Sequence, residues 1–373
     1  QYFDKLQTYY IPYGTADIQN DLFVNWNNLT TLTIPNSVSN ISPGTFDHCT
    51  KITTLKADPK FLQYFNIKTL RNYEIPEGCQ KIPEYALKGA TNLTNITFPN
   101  SLNRIGKGAF MDCKSINSFK CPQHVVLICE DTFKGCENLT EFSILHYAII
   151  DISAFDGCYR LSSIECSSDI MHYLNPSIKK QILKLKCNYI PSIDDKILKD
   201  FINLKSISLI TKYIHKYAFT NCKELNEIVC KGNLLNGVES KYVTRIQLLS
   251  DTNDISDEIF DGFPNLNEID IPLSVKIIKP GIFDSCHKIS SVKCEPKWLS
   301  IFDKSKLKRI EFPEGSTTLT KEDTNNCINA EVVILPKSLI NVDDDAFFNI
   351  QNAEIRALNP AFNFNIKNYL IFL

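Results

Sequence analysis

A short pattern that recurs along the whole chain constrains its fold more than any other feature. In LTTLTIPNSVSNISPGTFDHC, which starts at Leu29, a leucine is followed three and five residues later by apolar residues, then by proline, and later by phenylalanine and cysteine. Nine of the sixteen steps between successive copies are 23 residues long, and the others are 18, 21 or 22. A unit of this length cannot bury its apolar face alone, so the pattern predicts units stacked on one another in a solenoid. The copies begin at Leu6, Leu29, Ile52, Leu70, Leu93, Ile116, Leu139, Leu161, Ile182, Leu204, Leu225, Val243, Leu266, Ile289, Leu307, Ala330 and Ala353.

Each copy has the pattern of a short strand followed by a compact turn. Counted from its first residue, the apolar residues at offsets 3 and 5 alternate with polar ones, which is the period of a strand with one buried face. Proline often follows at offset 6 and, because it has no N–H group, ends the strand there. The remaining residues are too few for a long helix, so we expect one or two helical turns with the phenylalanine near offset 17 directed inward.

A second, longer period indicates that blocks of three units were duplicated. Leu161, Leu225 and Ile289 begin shorter or divergent copies and are 64 residues apart. ADPKFLQYFNIKTLRNYEIPEG near the start closely matches CEPKWLSIFDKSKLKRIEFPEG near the end. No change of composition marks a domain boundary, so we predict a single domain over 1–373, a continuous array of about 17 repeats of 18–23 residues.

The registered motifs resemble those of one known repeat family. L-x-x-[IL]-x-[IF]-P followed by I-x-x-x-[AT]-F-x-x-C is similar to the BspA-like, or Treponema pallidum type, leucine-rich repeat, and GKGAFMDCKSINSFKCP is a very close instance. Segments 161–203 and 225–242 depart most from it. The resemblance implies an α/β solenoid with a curved parallel sheet on the concave side and short helical turns and loops on the convex side. It also implies protein binding, often on microbial cell surfaces. The Asn-, Lys- and Ile-rich composition indicates a microbial eukaryote as the source.

Composition excludes several classes of partner. The chain has 373 residues, a net charge of −2 and a pI of about 6.4, so its charge does not favour nucleic acid. Its apolar runs are only a few residues long, so no segment is expected to span a membrane. No nucleophile–base pair stands outside the repeat pattern, and we expect neither catalysis nor a cofactor.

The fourteen cysteines follow the repeat and not a chemical motif. Seven lie near offset 20 and five at offset 5, where other copies have isoleucine, leucine, phenylalanine, alanine or tryptophan. Free cysteine is among the most buried residue types, so we predict that at least ten are buried and unbridged. The eight-residue spacing of Cys158 and Cys166, repeated in Cys222 and Cys230, is the pattern that would indicate disulfides instead. The paired spacing of a zinc site is absent, and we predict no metal. Unpaired thiols favour a cytoplasmic location, with the cell surface as the alternative.

Residues at offsets 2 and 4 face away from the core and form the predicted binding surface. In the early copies they are small and mostly neutral, whereas later copies carry charges of both signs, which suits a protein partner. We therefore predict a non-enzymatic scaffold that binds protein through this concave face, with an adhesin as the alternative. The predicted partner-binding residues are Glu141, Glu165, Lys184, Lys186, Glu227, Arg245, Glu268, Asp270, Lys293, Arg309 and Glu311.

Two further predictions concern the second half of the chain. Arg309–Phe312 with the preceding lysine resembles the docking sequence for the catalytic subunit of protein phosphatase 1, although offsets 3 and 5 should bury two of its residues. The final copies carry apolar residues at outward offsets, and the strand-like end of the chain leaves an edge to cover. The chain's own tail, a partner or a second copy could cover it, and we favour a homodimer. The predicted patch comprises Val332, Ile334, Ile355, Leu370 and Phe372.

Overall fold

The computed structural model describes residues 5–255, 259–350, 352–358 and 371–372, and it contains two compact units. The first unit is Gln1–Asn188 and the second is Tyr189–Leu373. Both consist of parallel strands joined by turns and short helices, so the predicted α/β repeat architecture is confirmed. That all repeats form one continuous array stays a prediction.

The first unit contains short strands that follow one another at the repeat spacing. The strands are β1 (Thr8–Tyr10), β2 (Asp17–Ile18), β3 (Thr31–Thr33), β4 (Asn40–Ile41), β5 (Thr54–Lys56), β6 (Asn72–Glu74), β7 (Lys81–Ile82), β8 (Asn95–Thr97), β9 (Arg104–Ile105), β10 (Ser118–Lys120), β11 (Leu127–Ile128), β12 (Glu141–Ile144), β13 (Ile149–Ile150), β14 (Ser163–Cys166) and β15 (Lys184–Ile193), which continues into the second unit. The helices are α1 (Ser168–Tyr173) and α2 (Pro176–Gln181), with 3-10 turns at Pro59–Tyr64 and Ile67–Thr69.

The second unit repeats the same organisation. Its strands are β16 (Ser206–Ile214), β17 (Glu227–Cys230), β18 (Arg245–Leu248), β19 (Asp254–Ile255), β20 (Glu268–Asp270), β21 (Ile277–Ile278), β22 (Ser291–Lys293), β23 (Arg309–Glu311), β24 (Thr318–Leu319), β25 (Val332–Leu335), β26 (Asn341–Val342), β27 (Glu354–Ala357) and β28 (Ile371–Phe372). The helices are α3 (Asp195–Leu198) and α4 (Lys321–Thr324), with 3-10 turns at Gly232–Leu235, Pro296–Ile301 and Lys304–Lys306.

Strand pairing follows the sequence period. In the first unit the sheet orders are β1-β3-β5-β6-β8 and β10-β12-β14-β15, and the two-residue strands form the ladders β2-β4 and β7-β9-β11-β13 on the turn side. In the second unit the orders are β16-β17-β18-β20-β22-β23-β25-β27-β28, β19-β21 and β24-β26. Thr8 lies beside Thr31 and Thr31 beside Thr54, so residues 23 positions apart share one row of side chains.

The core is built from the offsets that the sequence pattern assigned to it. Leu32, Leu55 and most other offset-3 residues of the paired strands are buried, while both their neighbours point outward; Tyr9 and Ile96 are half-buried. On the turn side the phenylalanines stack: the rings of Phe110, Phe133 and Phe155 are nearly parallel, with centroids 5.5 Å apart. Burial of this apolar surface, at roughly 25 cal/mol per Å², stabilises each repeat only through its neighbours.

The cysteines belong to the same core, as predicted. All fourteen are unbridged and all but Cys129 are buried. Several thiols donate a hydrogen bond to a carbonyl group of the preceding repeat, as Cys136 does to the Phe110 oxygen at 3.1 Å. Burial raises the pKa of the Cys136 thiol to about 12, so it stays protonated and unreactive at neutral pH.

The two sequence segments that match each other also match in structure. Both form a pair of 3-10 turns in place of the phenylalanine–cysteine segment. In the first, Phe65 stacks on Phe46 of the preceding repeat with a centroid distance of 4.6 Å, and in the second, Phe302 stacks on Phe283 at 4.7 Å. An aromatic residue after the P-K pair therefore keeps the phenylalanine row continuous where a repeat is short.

Candidate functional site

The strand face, defined as the side chains at offsets 2 and 4 of the long sheets, is the candidate site. In the second unit the backbone register places Glu227, Arg245, Glu268, Ser291 and Arg309 in one row. A second row beside it contains the predicted residues Asp270, Lys293 and Glu311. The structure therefore brings seven of the predicted charged residues together on five adjacent strands.

Arg245 is the centre of this group because it contacts three carboxylates. Its guanidinium nitrogens lie 2.9 Å from Glu268, 3.1 Å from Asp270 and 3.2 Å from Glu227. The contact to Glu227 lacks hydrogen-bond geometry at Nε, and Glu227 also accepts a hydrogen bond from the Ser206 hydroxyl at 2.6 Å. Burial raises the pKa of Asp270 above its usual value, although the Arg245 and Lys293 charges oppose the rise. One guanidinium thus serves three carboxylates, which leaves negative charge on this part of the face.

Lys293, Arg309 and Glu311 form a neighbouring group with the opposite excess of charge. Glu311 lies 2.5 Å from the Lys293 amine and 2.9 Å from the Arg309 guanidinium. Partial burial would raise the pKa of Glu311, but its bonds to Lys293 and Arg309 lower that pKa overall. Two cations share one carboxylate here, so a concavity of about 100 Å³ between the two groups is lined by both signs of charge.

In the first unit the predicted charges are less connected. Glu165 lies 2.6 Å from the Lys186 amine and accepts hydrogen bonds from Ser143 and Asn188. Glu141 and Lys184 are exposed in the same row, with Ser163 between them. Within the part of the chain that the structure describes, neither side chain forms an ion pair or a hydrogen bond. All eleven residues lie at outward positions of their strands, and their role in partner binding stays a prediction. Sequence reasoning did not foresee that nine of them pair with one another.

The predicted C-terminal patch is wrong at Ile355 and otherwise stays a prediction. Val332 and Ile334 lie half-buried on the strand face, but Ile355 is fully buried in the core. Val332 pairs with Glu354 and Ile334 with Arg356, so the last step is 22 residues and not 23. Because side chains alternate along a strand, this one-residue difference turns Ile355 inward and places the Glu354–Arg356 ion pair outward at 2.8 Å.

The strand-like end of the chain contains β28, as the sequence pattern indicated. β28 pairs with β27 in parallel, with Ile355 beside Ile371 and Arg356 beside Phe372. Leu370 lies outside the described residues, and of Phe372 only the backbone is described. That a second copy covers this end of the sheet stays a prediction.

The phosphatase-like sequence lies inside the sheet. β23 is paired on both sides, with β22 and with β25. Ile310 is fully buried and Phe312 is 2% exposed, as the offsets predicted. Only Arg309 and Glu311 of this sequence reach the strand face.

Sequence reasoning missed an opening between β8 and β10, where the strand sheet of the first unit is interrupted. A cleft of about 960 Å³ lies there, lined on its two sides by Ile96, Phe98 and Phe119. The signal that could have revealed it is Phe98, a large ring at offset 5, where most repeats have isoleucine, alanine or cysteine.

Other kinds of site find no support in the part of the chain that is described. Among residues 5–255, 259–350 and 352–358, no cluster of three or more histidine, cysteine, aspartate or glutamate side chains could hold a metal ion. Over the same ranges, no helix has the length and apolar character needed to cross a bilayer.

Comparison with known proteins identifies the repeat. The family profile described as BspA type leucine rich repeat region, in six copies, matches residues 1–72, 62–184, 177–241, 238–301 and 299–370. No curated protein matches the chain significantly. Among solved structures, the T. pallidum leucine rich repeat protein is 25% identical over 42% of this chain and 78% of that one, with a TM-score of 0.32. A leucine-rich repeat protein from Bacteroides ovatus is 19% identical over 94% of this chain and 92% of that one, with a TM-score of 0.34. A leucine rich cell surface protein from Faecalibacterium prausnitzii is 18% identical over 95% and 89%, with a TM-score of 0.24.

The family profile covers almost the whole chain, and the paired strands reproduce its repeat spacing. Repeats of this kind are scaffolds for protein interaction and not enzymes. The chain therefore belongs to the BspA-type leucine-rich repeat family.

Proposed function

We propose that the chain is a protein-binding scaffold whose strand face is the binding surface. The observation that carries this proposal is the charged group of the second unit, in which seven side chains of alternating sign are held on adjacent strands at fixed spacing. Ion pairs within the group orient the side chains before any partner arrives, which lowers the entropy lost on binding. A partner with a matching pattern of charges would be recognised with selectivity.

The unequal sharing of charge in this group suggests what the partner presents. Three carboxylates surround Arg245, so a lysine or arginine of the partner would be favoured beside Glu268. Lys293 and Arg309 share the single carboxylate of Glu311, so an acidic residue would be favoured there. We therefore expect a partner surface that carries both signs, and a binding rate that falls as the salt concentration rises.

A matched pair of charge reversals tests the proposal. Glu268→Lys changes the strand face, whereas Glu239→Lys makes the same change in the same unit at an exposed turn-side ion pair with Lys216. Immobilised wild type and variants would be exposed to extract of the source cells, and the captured proteins quantified by mass spectrometry. A partner lost with Glu268→Lys and kept with Glu239→Lys supports the strand face. Equal capture by both variants, with unchanged melting temperatures, would contradict it.

A cell-surface adhesin is the alternative function, and it uses the same face in a different location. Fourteen free cysteines support the predicted cytoplasmic location, whereas the family resemblance favours the surface. Biotinylation of intact cells with a reagent that cannot cross membranes separates the two. Labelling of the full-length protein would favour the adhesin, and labelling only after lysis would favour the cytoplasm.

Docking on protein phosphatase 1 through Arg309–Phe312 has weaker support, because it would require β23 to leave a sheet in which both its edges are paired. Removing the Phe312 ring should cost about 3–5 kcal/mol of unfolding free energy through the cavity it leaves. If Phe312→Ala left stability unchanged and abolished phosphatase binding, the sequence would act as an accessible docking motif.

A homodimer through the C-terminal end also stays a prediction, and fewer residues now support it. Its support is now the apolar pair Val332 and Ile334, flanked by the ion pairs of β23 and β27. Light scattering of the wild type and of Val332→Asp/Ile334→Asp tests it. A dimer that becomes a monomer in the variant would support it, and a monomer in both would exclude it.

A further inference from the structure

The strand sheet of the first unit is open at one junction, between β8 and β10. Asn95 and Ser118 are 23 residues apart, the same spacing that joins Asn72 to Asn95 in register, yet β8 and β10 do not pair. Most distances from a Cα atom of β8 to a Cα atom of β10 exceed 8 Å, whereas paired strands lie roughly 4.8 Å apart. On the turn side the same two repeats remain joined, since Arg104 lies beside Leu127 in a paired ladder. The repeats are therefore closed on one side and separated on the other.

The opening leaves backbone groups unpaired on both of its edges. At the junction before it, the Thr94 and Asn95 amides donate to the Arg71 carbonyl at 2.9 and 3.0 Å. At the junction after it, the Thr140 amide donates to the Asn117 carbonyl at 2.8 Å. The equivalent bonds from Asn117 to the Thr94 carbonyl, and from the Phe98 amide to the next strand, are not formed within the described residues. Two strand edges with free donors and acceptors thus face each other.

We attribute the separation to a cluster of three phenylalanine rings at the opening. Phe98 directly follows β8, and its ring centroid lies 5.4 Å from that of Phe119 and 6.4 Å from that of Phe110. The residues at the same offset in the two preceding repeats and in the next are alanine, isoleucine and cysteine, which are much smaller. Extra volume in a packed core is relieved by moving backbone, and here the strand side moves while the turn side stays paired.

The cleft that results has an apolar floor and a polar rim. Ile96 and Phe98 are only half-buried, although the equivalent residues of neighbouring strands are buried. Leu145 lines the opposite wall and is 46% exposed. Lys120 stands at the rim, and its amine has no ion pair or hydrogen bond to any residue that the structure describes. With a volume of about 960 Å³, the cleft is in the size range of ligand sites.

We propose that this cleft binds an extended segment of a partner protein, which inserts as a strand against the free edges of β8 and β10. The inference deepens the proposed function and rests on it, since it adds a peptide site to a protein-binding scaffold. A polypeptide is the ligand whose own chemistry supplies donors and acceptors at the spacing of a strand edge. Its alternate side chains would enter the apolar floor, and an acidic residue would pair with Lys120.

Hydrogen exchange on the full chain, with a defined peptide set as the probe, tests the first part. In the free protein, the amides of Ile96, Phe98, Ser118 and Lys120, which point into the opening, should exchange faster than those of 73–75 and 142–144, whose strands are paired on both sides. The probe is a set of labelled decapeptides in which valine alternates with threonine and one aspartate is moved along the sequence. Its best members should slow exchange at the Ile96, Phe98, Ser118 and Lys120 amides. The same peptides with proline at alternate positions cannot donate and should bind at least tenfold more weakly.

Two variants separate this site from a general effect on folding. Phe98→Ile removes the ring that separates the strands, so we expect the strands to pair, exchange to slow and peptide binding to be lost. Phe142→Ile is the matched control, because Phe142 belongs to the same ring cluster but lies on a strand that is paired on both sides. It should keep peptide binding within twofold even if its melting temperature falls. Lys120→Glu should weaken binding of the aspartate peptides about fivefold without changing the melting temperature.

Several outcomes would overturn the proposal. Protection of the Ile96, Phe98, Ser118 and Lys120 amides in the free monomer would mean that the sheet is closed. Equal affinity for the proline peptides, or no binding by any member of the set, would exclude strand insertion. Protection that appears only as protein concentration rises, together with a dimer in light scattering, would assign the cleft to a second copy. Because Glu268 lies in the other unit, Glu268→Lys can fail to affect the cellular partner while peptide binding persists, and the two proposals can therefore fail separately.

Discussion

The strand faces of the two units have different chemistry on the same kind of backbone ladder. In the first unit the face of β1 to β8 is mostly threonine and asparagine, and Asn72 links Thr54 and Asn95 by side-chain hydrogen bonds of 3.1 and 2.7 Å. In the second unit Arg245 gathers three carboxylates on the equivalent rows. Beneath both faces, apolar residues occupy the same offsets, and most of them are buried. The comparison shows that the inward offsets determine the repeat fold and leave the outward offsets free to carry recognition.

The largest expected effect is one that the two units should share. Leu55→Ala under the neutral face and Ile310→Ala under the charged face each remove a fully buried side chain at offset 3. Each should lower the free energy of unfolding by about 2–5 kcal/mol, through lost burial and a residual cavity. Urea titration measures both. A cost below 1 kcal/mol for one of them would show that the cores are not equivalent.

The cysteine row should behave as part of that shared core. Cys136→Ser places a hydroxyl in an apolar row and should cost roughly 1–3 kcal/mol of unfolding free energy. Cys129→Ser is the control, since Cys129 is the one half-buried cysteine and its substitution should cost less than about 0.5 kcal/mol. If urea titration showed the same loss of unfolding free energy for both variants, Cys136 would not belong to a buried apolar row.

The two faces should differ when their cations are removed. Arg245→Met leaves three half-buried carboxylates without their shared partner and should destabilise by about 1–2 kcal/mol at pH 7. Lys56→Met breaks one exposed pair with Glu74 in the first unit and should cost about 0.5 kcal/mol or less. Thermal unfolding at low and high salt compares them. Similar costs would mean that the charged network is no more than a set of surface pairs.

The smallest expected effect is a pH dependence confined to the charged face. The lowered pKa of Glu311 contributes stability that is present above its ordinary value of 4.5 and is lost as the pH falls through the folded value. The raised pKa of Asp270 acts in the opposite sense, because its contribution is present below 3.8 and is lost as the pH rises. Between pH 5 and 3, Glu311→Gln should therefore lose less stability than the wild type, and Asp270→Asn should lose more. Each difference should be about a few tenths of a kcal/mol, measured by urea titration at each pH. If both variants lost less stability than the wild type between pH 5 and 3, or if both lost more, this assignment would be contradicted.

The sequence pattern predicted most of the fold because the alternation of apolar and polar residues in each repeat indicates which positions face inward and which face outward. The offsets correctly predicted the burial of Ile310 and Phe312 and the cysteine core. The prediction that Ile355 on β27 faces outward was wrong because it assumed a 23-residue step from the preceding copy. Glu354 and Arg356 alternate with apolar residues, and that alternation alone predicts the observed register.

The features that were missed depend on contacts between repeats. Glu227 and Glu268 share Arg245 because side chains from neighbouring strands meet there. Such a contact cannot be predicted from the sequence of a single repeat. The opening beside Phe98 likewise depends on the summed volume of rings from two repeats. The pairing of β28 with β27 also depends on a contact between neighbouring strands.

Photo-crosslinking from single positions tests the central claim, that the strand face binds the partner, most directly. A photoreactive residue would replace Gln247 on the charged face, Thr33 on the neutral face and Lys288 on the turn side, each in the full chain. We predict that Gln247 yields the strongest cross-link to a partner in source-cell extract, that Thr33 yields less and that Lys288 yields none. A cross-link to the same partner from Lys288, with none from either strand-face position, would contradict the account.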